Sequence, residues 1–178
     1  MRERTDEQLM AAYAGGDMQA FEQLYQRHRA PLYRYLLRLV GDAPTANDLY
    51  QGSWERVIRS RRGYRPSASF RAWLYRIAHN HAMDHFRRAR PAAQAQLPPD
   101  SLAAGAPEPD QALQSAQQEE RLADALRSLP PEQLEAVLLK LDGGLDLLTI
   151  AEVTGVNRET AKSRLRYAVA KLKQALEE

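Results

Sequence analysis

The stretch DLLTIAEVTGVNRETAKSRLRYAVAKLKQAL, Asp146 to Leu176, constrains the fold more than any other part of the sequence. Asp146 opens a short helix carrying Ile150, Ala151 and Val153. Ala151 is small where two helices would cross closely. Gly155 stands where a tight turn needs positive φ, Val156 plugs the turn from below, and Asn157 can cap the helix that follows. That second helix buries Ala161, Leu165, Ala168 and Leu172 and exposes Arg158, Thr160, Lys162, Ser163, Arg164 and Arg166. This is the pattern of a helix-turn-helix, whose second helix lays its first residues on base edges in the major groove and its cations on phosphates. A helical hairpin with a solvated basic face would share the charge, but it would not need the small residue, the glycine and the cap at these intervals.

The rest of the chain is helical on either side of a break. Pro91 to Ser115 holds five prolines, one glycine and no basic residue, with no sustained amphipathic period. Such a segment buries too little apolar surface to offset its ordering entropy, so it reads as a flexible linker. Before it, Thr5 with Gln8 forms a capping-box signature and Asp17 caps a second helix. The apolar positions of that helix, Phe21, Leu24, Tyr25, Leu32, Tyr35, Leu36 and Leu39, share one face at period 3.6. Pro31 lies inside it and Gly41 ends it. A third helix is expected from about Thr45 to Ser60. A loop with Gly63 and Pro66 follows, and then a fourth helix from Ser69 carries Phe70, Trp73, Leu74, Ile77 and Ala78 on one side. After the linker, Leu122, Leu126 and Leu129 lead to Pro130-Pro131, and a helix with Leu134, Val137, Leu138 and Leu141 runs to Gly143-Gly144. The expected fold is all-α: two small helical domains, 1–90 and 116–178, joined by the flexible linker 91–115, the second domain a helix-turn-helix.

The 178 residues have a net charge of only +2, but it is unevenly spread. Residues 1–90 carry 16 basic and 9 acidic side chains; 157–173 carries six bases and one acid; 56–65 carries five arginines and no acid. One basic patch in each half is the footprint expected for polyphosphate, though a charge run also marks an ordinary solvated face. With no cysteine, disulfides, thiolate metal sites and cysteine nucleophiles are excluded. No apolar run of about 20 residues crosses a bilayer, and the charged N-terminus lacks a secretory core, so a cytoplasmic protein with no membrane partner is expected.

The helix-turn-helix, with its Gly155-Val156 turn and T-A-K-S-R-L at 160–165, resembles region four of a bacterial sigma factor. SFRAWLYRIAHNHAMDHFRR at 69–88 resembles region two, and NDLYQGSWERV at 47–57 resembles the preceding polymerase-binding helix. Two such domains with no other sigma region resemble the extracytoplasmic-function (group four) sigma factors. The resemblance implies a protein without catalytic site, cofactor or metal that binds core RNA polymerase and directs it to promoter DNA. The first domain would dock on the β′ clamp helices through Asn47, Asp48, Gln51 and Trp54. It would melt the minus-ten element with Arg71, Arg76, Arg87 and Arg88 on the backbone, and with a base pocket at Tyr64 to Ser69 near Phe70, Trp73 and Asn80. Core packing is the competing reading of Phe70 and Trp73. Arg61 and Arg62 would touch upstream phosphates or be solvated. The second domain would sit on the β flap and read the minus-thirty-five element with Arg158, Thr160, Lys162, Ser163, Arg164 and Arg166. The acidic linker would lie along the active-site cleft and RNA exit path.

One departure from the family pattern matters. The polymerase-binding helix commonly begins Asp-Ala-Glu-Asp with Gln-Glu soon after; here the matching residues are Thr45-Ala46-Asn47-Asp48 and then Gln51-Gly52. Losing three of four acids should weaken docking on a basic partner, and a mid-helix glycine costs about 1 kcal/mol relative to alanine. A Ser/Thr kinase could restore the charge, since a phosphate adds about −1.5 to −2 at pH 7. Thr45 stands where the first acid belongs, and Ser53 is a second candidate. Any kinase or anti-sigma factor is expected to be a separate chain.

Other readings differ in class. A helix-turn-helix regulator acting without polymerase would explain only the second half, and a sigma-like adaptor would bind polymerase without melting DNA. His81 and His85 at i, i+4, with His79 and Asp84 close by, have metal-ligand spacing, but no glutamate follows His81 as in H-E-x-x-H. No phosphate-cradling glycine loop or nucleophile motif points to an enzyme.

Overall fold

The computed structural model describes residues 2–89 and 109–177, and of 109–113 the backbone alone. All regular structure among these residues is helical. The first half holds α1 (Asp6–Ala14), α2 (Met18–Val40), α3 (Ala43–Ser60), a single 3-10 turn (Arg61–Gly63) and α4 (Phe70–Ala89); the second holds α5 (Pro109–Arg127), α6 (Pro131–Leu141), α7 (Leu147–Thr154) and α8 (Arg158–Glu177).

Several helices begin where a side chain can satisfy their free N–H groups. Thr5 and Gln8 close a reciprocal capping box on α1, at 3.2 and 2.9 Å. Asp17 accepts from Gln19 and Ala20 N–H at the start of α2, and Asp42 accepts from Thr45 N–H at the start of α3. That cap puts the start of α3 two residues ahead of the Thr45 expected from sequence. α2 runs through Pro31 as one continuous helix and ends at Gly41.

Most of the expected linker, 91–115, lies outside the described residues. Its last part does not: α5 opens at Pro109, where a proline suits the first turn, and continues through the good helix formers of QALQSAQQEERLADAL.

Two helical bundles form, as the periodicity predicts, but they are packed on one another. α2 and α4 of the first half touch α6 and α7 of the second, and a continuous apolar core runs from Leu9, Leu24, Phe70 and Leu74 to Leu138, Ile150 and Ala161. Burying a large apolar side chain is worth about 1.5–3 kcal/mol, so the shared core holds the halves to a defined geometry. At the seam, the Tyr35 hydroxyl donates to Glu135 Oε1 at 3.0 Å, and His79 Nδ1 hydrogen-bonds the same oxygen. Arg38 Nη1 and Arg34 Nε lie 3.1 and 3.5 Å from Asp142 Oδ1, and the Tyr75 hydroxyl donates to the Asp142 carbonyl at 3.3 Å.

Candidate polymerase and promoter interfaces

The α3 face is built from the core outward. Its inner side carries Ala46, Leu49, Ser53, Trp54 and Val57, all buried; Asn47, Asp48, Gln51 and Glu55 lie on the exposed side. Trp54, expected among the polymerase contacts, is 5% exposed. Its ring sits 5.1 Å from Tyr25, 6.0 Å from Phe21 and 6.4 Å from Tyr50. It lies beneath the exposed row, packed among these rings. Ser53 is fully buried and its hydroxyl donates to the Leu49 carbonyl at 2.7 Å. A phosphate there would need the helix pulled off the core, so Ser53 is not an accessible modification site. Thr45 is half-buried in the first turn.

Gly52 has a structural reason that the sequence does not announce. Its missing side chain makes room for His81 of α4, whose Nε2 would lie 2.3 Å from an added Cβ. Burial and the nearby Arg56 charge hold the His81 imidazole below its ordinary pKa of 6.5. His79 turns the other way, to Glu135. The histidines thus diverge, and among the described residues no group of three His, Asp or Glu side chains could hold a metal ion.

The α4 region separates into a packed floor and an exposed cationic row. Phe70 is fully buried and Tyr64 nearly so, with ring centroids 6.1 Å apart and the half-buried Trp73 5.1 Å from Tyr64. The Tyr64 hydroxyl donates to the Ala68 carbonyl at 2.6 Å, tying the loop into a fixed turn, and burial pushes that hydroxyl up to about 12. Tyr64 and Phe70, both expected in a base pocket, are therefore core residues in this conformation, and Trp73 is the ring that reaches the surface. Ser69 accepts from Ala72 N–H at 3.3 Å, and Glu7 of α1 accepts from Phe70 N–H at 3.1 Å, so two oxygens cap the start of α4. Arg71, Arg76, Asn80, Arg87 and Arg88 are exposed; Arg87 pairs with Asp84 at 2.9 Å. Arg61 donates to the Ile58 carbonyl at 2.7 Å and lies over the Tyr13 ring, whereas Arg62 is solvated.

In the second half, Asp146 accepts from Thr149 N–H at 2.8 Å, and hydrogen bonding by the Thr149 side chain and then its backbone holds the Asp146 carboxyl below the usual range. Gly155 adopts φ 70°, and its N–H bonds the Ala151 and Glu152 carbonyls. A side chain at that left-handed position costs about 1–2 kcal/mol. Val156 N–H then bonds the Ala151 carbonyl at 3.1 Å, and Asn157 Oδ1 accepts from Thr160 N–H at 2.8 Å, starting α8. Ala161 and Ala168 are fully buried against the other helices. Arg158, Lys162 and Arg166 point outward, with Thr160, Ser163 and Arg164 half-exposed beside them. Among the described residues, none of these four cations lies within ion-pair distance of a carboxylate; Arg166 rests over the Tyr167 ring at 5.2 Å. An unneutralised cationic face on a capped helix is what phosphate contacts require. Glu135, Asp142 and Arg38, which join the halves with Tyr35, carry no distinguishing sequence pattern beyond a glutamate inside the apolar run Leu134 to Leu139, and Tyr35 reads in the sequence only as one of the core-facing positions of α2.

The comparisons agree with this division. A model of Sigma-70 region 2 matches residues 24–91, and one of Sigma-70 region 4 matches 119–172. RNA polymerase sigma factor CarQ of Myxococcus xanthus is 32% identical over 95% of this chain and 96% of its own length. ECF RNA polymerase sigma factor SigM of Mycobacterium tuberculosis is 34% identical over 98% and 86%. The solved structure of CnrH in complex with the cytosolic domain of CnrY is similar with a TM-score of 0.70 at 25% identity, covering 97% of each chain. Sigma factor RpoE of Bartonella quintana, solved with the anti-sigma factor NepR, shares the fold with a TM-score of 0.72 at 22% identity over 88% of this chain and 96% of that one. Matches in both halves remove the reading as a helix-turn-helix regulator that acts without polymerase. With one cationic helix in each half and both regions matched in order, the chain belongs to the ECF-type RNA polymerase sigma factors, with sigma-70 regions 2 and 4.

Proposed function

We propose a division of labour for this non-catalytic sigma factor, which binds core RNA polymerase and directs it to promoters. The first domain docks on the β′ clamp helices through the exposed row Asn47, Asp48 and Gln51 and opens the minus-ten element with α4, where Arg71, Arg76, Arg87 and Arg88 hold the backbone beside Trp73 and Asn80. The second domain sits on the β flap and reads the minus-thirty-five element with α8. The observation that carries this reading is the outward face of α8: Arg158, Lys162, Arg164 and Arg166 without acidic partners among the described residues, on a helix started by Asn157 and oriented by the Gly155 turn.

Docking depends on charge that α3 mostly lacks. Only Asp48 keeps the acidic character of the family pattern, and a Ser/Thr kinase acting on Thr45 supplies the rest. Asp42 already occupies the start of the helix, so a phosphate on Thr45 gains little from the helix dipole; its effect lies in the negative charge presented to a basic partner. Burial of Ser53 leaves Thr45 as the modification site. An anti-sigma factor on a separate chain is the second regulator, by likeness to the structures solved with CnrY and NepR.

Pull-down of core polymerase with three proteins tests this: the unmodified chain, Thr45→Glu, and the chain treated with a Ser/Thr kinase from its host. Weak capture by the first and strong capture by the others is expected. Equal capture by all three would remove the kinase from the mechanism and leave docking to Asp48 and its neutral neighbours. No capture by any would overturn the docking assignment.

A further inference from the structure

On the reading that α4 opens the minus-ten element, we infer that Glu7 of α1 is a positioning residue for minus-ten recognition. It fixes the end of the loop Tyr64 to Ser69 and the start of α4, and so sets where that surface meets the opened strand. Glu7 lies in the first turn of α1, where the helix dipole favours an acid. The dipole accounts for its charge but not for its direction. Its carboxylate leaves α1 and accepts from the Phe70 N–H of α4 at 3.1 Å, across 63 positions of sequence. That N–H is one of the four at a helix start that find no partner within the helix.

The loop's own hydrogen bonds are local. Tyr64 N–H donates to the Arg61 carbonyl at 3.4 Å, Ala68 N–H to the Arg65 carbonyl at 3.0 Å, the Tyr64 hydroxyl to the Ala68 carbonyl at 2.6 Å, and Ala72 N–H to Ser69 Oγ at 3.3 Å. Each spans four residues or fewer, so together they hold the loop's shape but not its place. Arg65, Pro66, Ser67, Ala68 and Ser69 are all exposed. Place comes from the two ends, and α1 supplies a contact at each. Before the loop, the Arg61 guanidinium lies 5.8 Å over the ring of Tyr13, near the C-terminal end of α1. After it, Glu7 holds Phe70.

The buried rings of Tyr64 and Phe70 also seat the loop on the core, with Phe70 5.2 Å from the His28 ring. Apolar packing is non-directional, however, whereas a hydrogen bond to an ionised acceptor is directed and about twice as strong as a neutral one. Burial first and the Glu7 carboxylate second hold the Tyr64 hydroxyl up at about 12, so the same carboxylate faces the loop as well as α4. Trp73, the ring that reaches the surface, donates its backbone N–H to the Ser69 carbonyl at 3.0 Å. The loop end, the first turn of α4 and Trp73 therefore move as one piece. Without Glu7 that piece pivots on the Phe70 ring, and a recognition surface needs its groups held to within about 0.5 Å.

The test uses the full chain with host core polymerase and host genomic fragments, in whichever of its unmodified and kinase-treated forms yields more start sites. Start sites are mapped for the parent, Glu7→Ala, Glu7→Asp, Glu7→Gln and Trp73→Ala, and base preference is compared at minus ten and at minus thirty-five. Glu7→Asp keeps the charge and shortens the reach, and it remains as the probe if Glu7→Ala fails to fold. Glu7→Gln keeps the reach and an acceptor oxygen but drops the charge. Minus-ten preference is expected to weaken about fivefold in Glu7→Ala and Glu7→Asp, the ratio equivalent to a lost cap of about 1 kcal/mol. Minus-thirty-five preference stays unchanged, and Glu7→Gln stays close to the parent. A merely structural role would lower the yield of all start sites and leave both preferences as they are, which would overturn the inference. An equal fall at both elements would overturn it too, as would an equal loss in Glu7→Gln and Glu7→Ala. If Trp73→Ala weakens the minus-ten preference and Glu7→Ala does not, the positioning role fails while the reading of α4 stands. If neither does, the reading of α4 fails and the positioning role falls with it.

Discussion

A carbon placed on Gly52 would lie 2.3 Å from Nε2 of His81 on the neighbouring helix. The glycine that looks like a weak point in α3 is thus the socket for an imidazole of α4. Replacing it with alanine gains about 1 kcal/mol of helix propensity but forces the ring aside, and overpacking costs about 1–3 kcal/mol. Gly52→Ala is expected to lower Tm by about 2–4 °C, equivalent to about 1 kcal/mol. In a His81→Ala background the same change should raise Tm. Thermal melts of the four proteins measure the coupling; a stabilising Gly52→Ala in both backgrounds would show that the contact imposes nothing.

Asp6 ties α1 to α2. It hydrogen-bonds His28 Nε2 at 2.8 Å and Arg27 Nη1 at 2.9 Å, and these partners hold its carboxyl at about 2, below the ordinary 3.8. A depressed carboxylate pKa contributes stability that is complete above the unfolded value and disappears as pH falls through the folded one. After allowance for solvent screening, that contribution is about 1 kcal/mol. Asp6→Asn should therefore unfold at lower urea than the parent at pH 7. The gap should narrow from about pH 4 downward and close only below about pH 2. A gap independent of pH would assign the loss to packing instead.

The turn before α8 is where fold and recognition meet. Gly155→Ala should cost about 1–2 kcal/mol, from the left-handed backbone alone, and Asn157→Ala about 1 kcal/mol, from the lost cap. Each outward cation that contacts a phosphate should, when replaced by alanine, weaken duplex binding and reduce the salt slope by about 1. Arg158→Ala and Lys162→Ala, measured by titration at several salt concentrations, test this directly. An unchanged slope in both would place the phosphates elsewhere.

Ser53 and Thr45 should respond oppositely to a negative charge. Ser53 is fully buried, and an unpaired buried carboxylate costs several kcal/mol or forces protonation. Ser53→Glu should lose at least about 3 kcal/mol of stability, whereas Thr45→Glu, in the first turn, should change it by about 0.5 kcal/mol or less. Urea unfolding of both proteins separates them; comparable losses would mean that Thr45 is as confined as Ser53.

Much of the fold is legible from local signals. Thr5, Asp17, Asp146, Asn157 and Gly155 each act through a neighbour within a few residues, so their roles appear in the sequence itself. The docking of the halves does not. Tyr35 and Glu135 are 100 positions apart, and neither Tyr35 nor a glutamate in an apolar helix names its partner. The site residues divide on the same principle. A cation at helical spacing on a polar face is read correctly as exposed, as with Arg158 and Arg76. Aromatic residues such as Trp54, Tyr64 and Phe70 suit a core and a recognition surface equally well by pattern, and only packing against Phe21, Tyr25 and each other places them inside. Gly52 reads in the sequence only as a cost to α3, because the ring that fills its space comes from another helix.

Transcription from host promoters tests the central claim most directly. Core polymerase from the host is incubated with fragments of its genome, with and without this chain in both its unmodified and its kinase-treated form, and the 5′ ends of new transcripts are mapped. New start sites that share elements near minus ten and minus thirty-five, and that vanish when Arg158 and Lys162 are both replaced by alanine, are predicted. Start sites that appear equally with and without the chain, on duplex and on pre-melted templates alike, would contradict it.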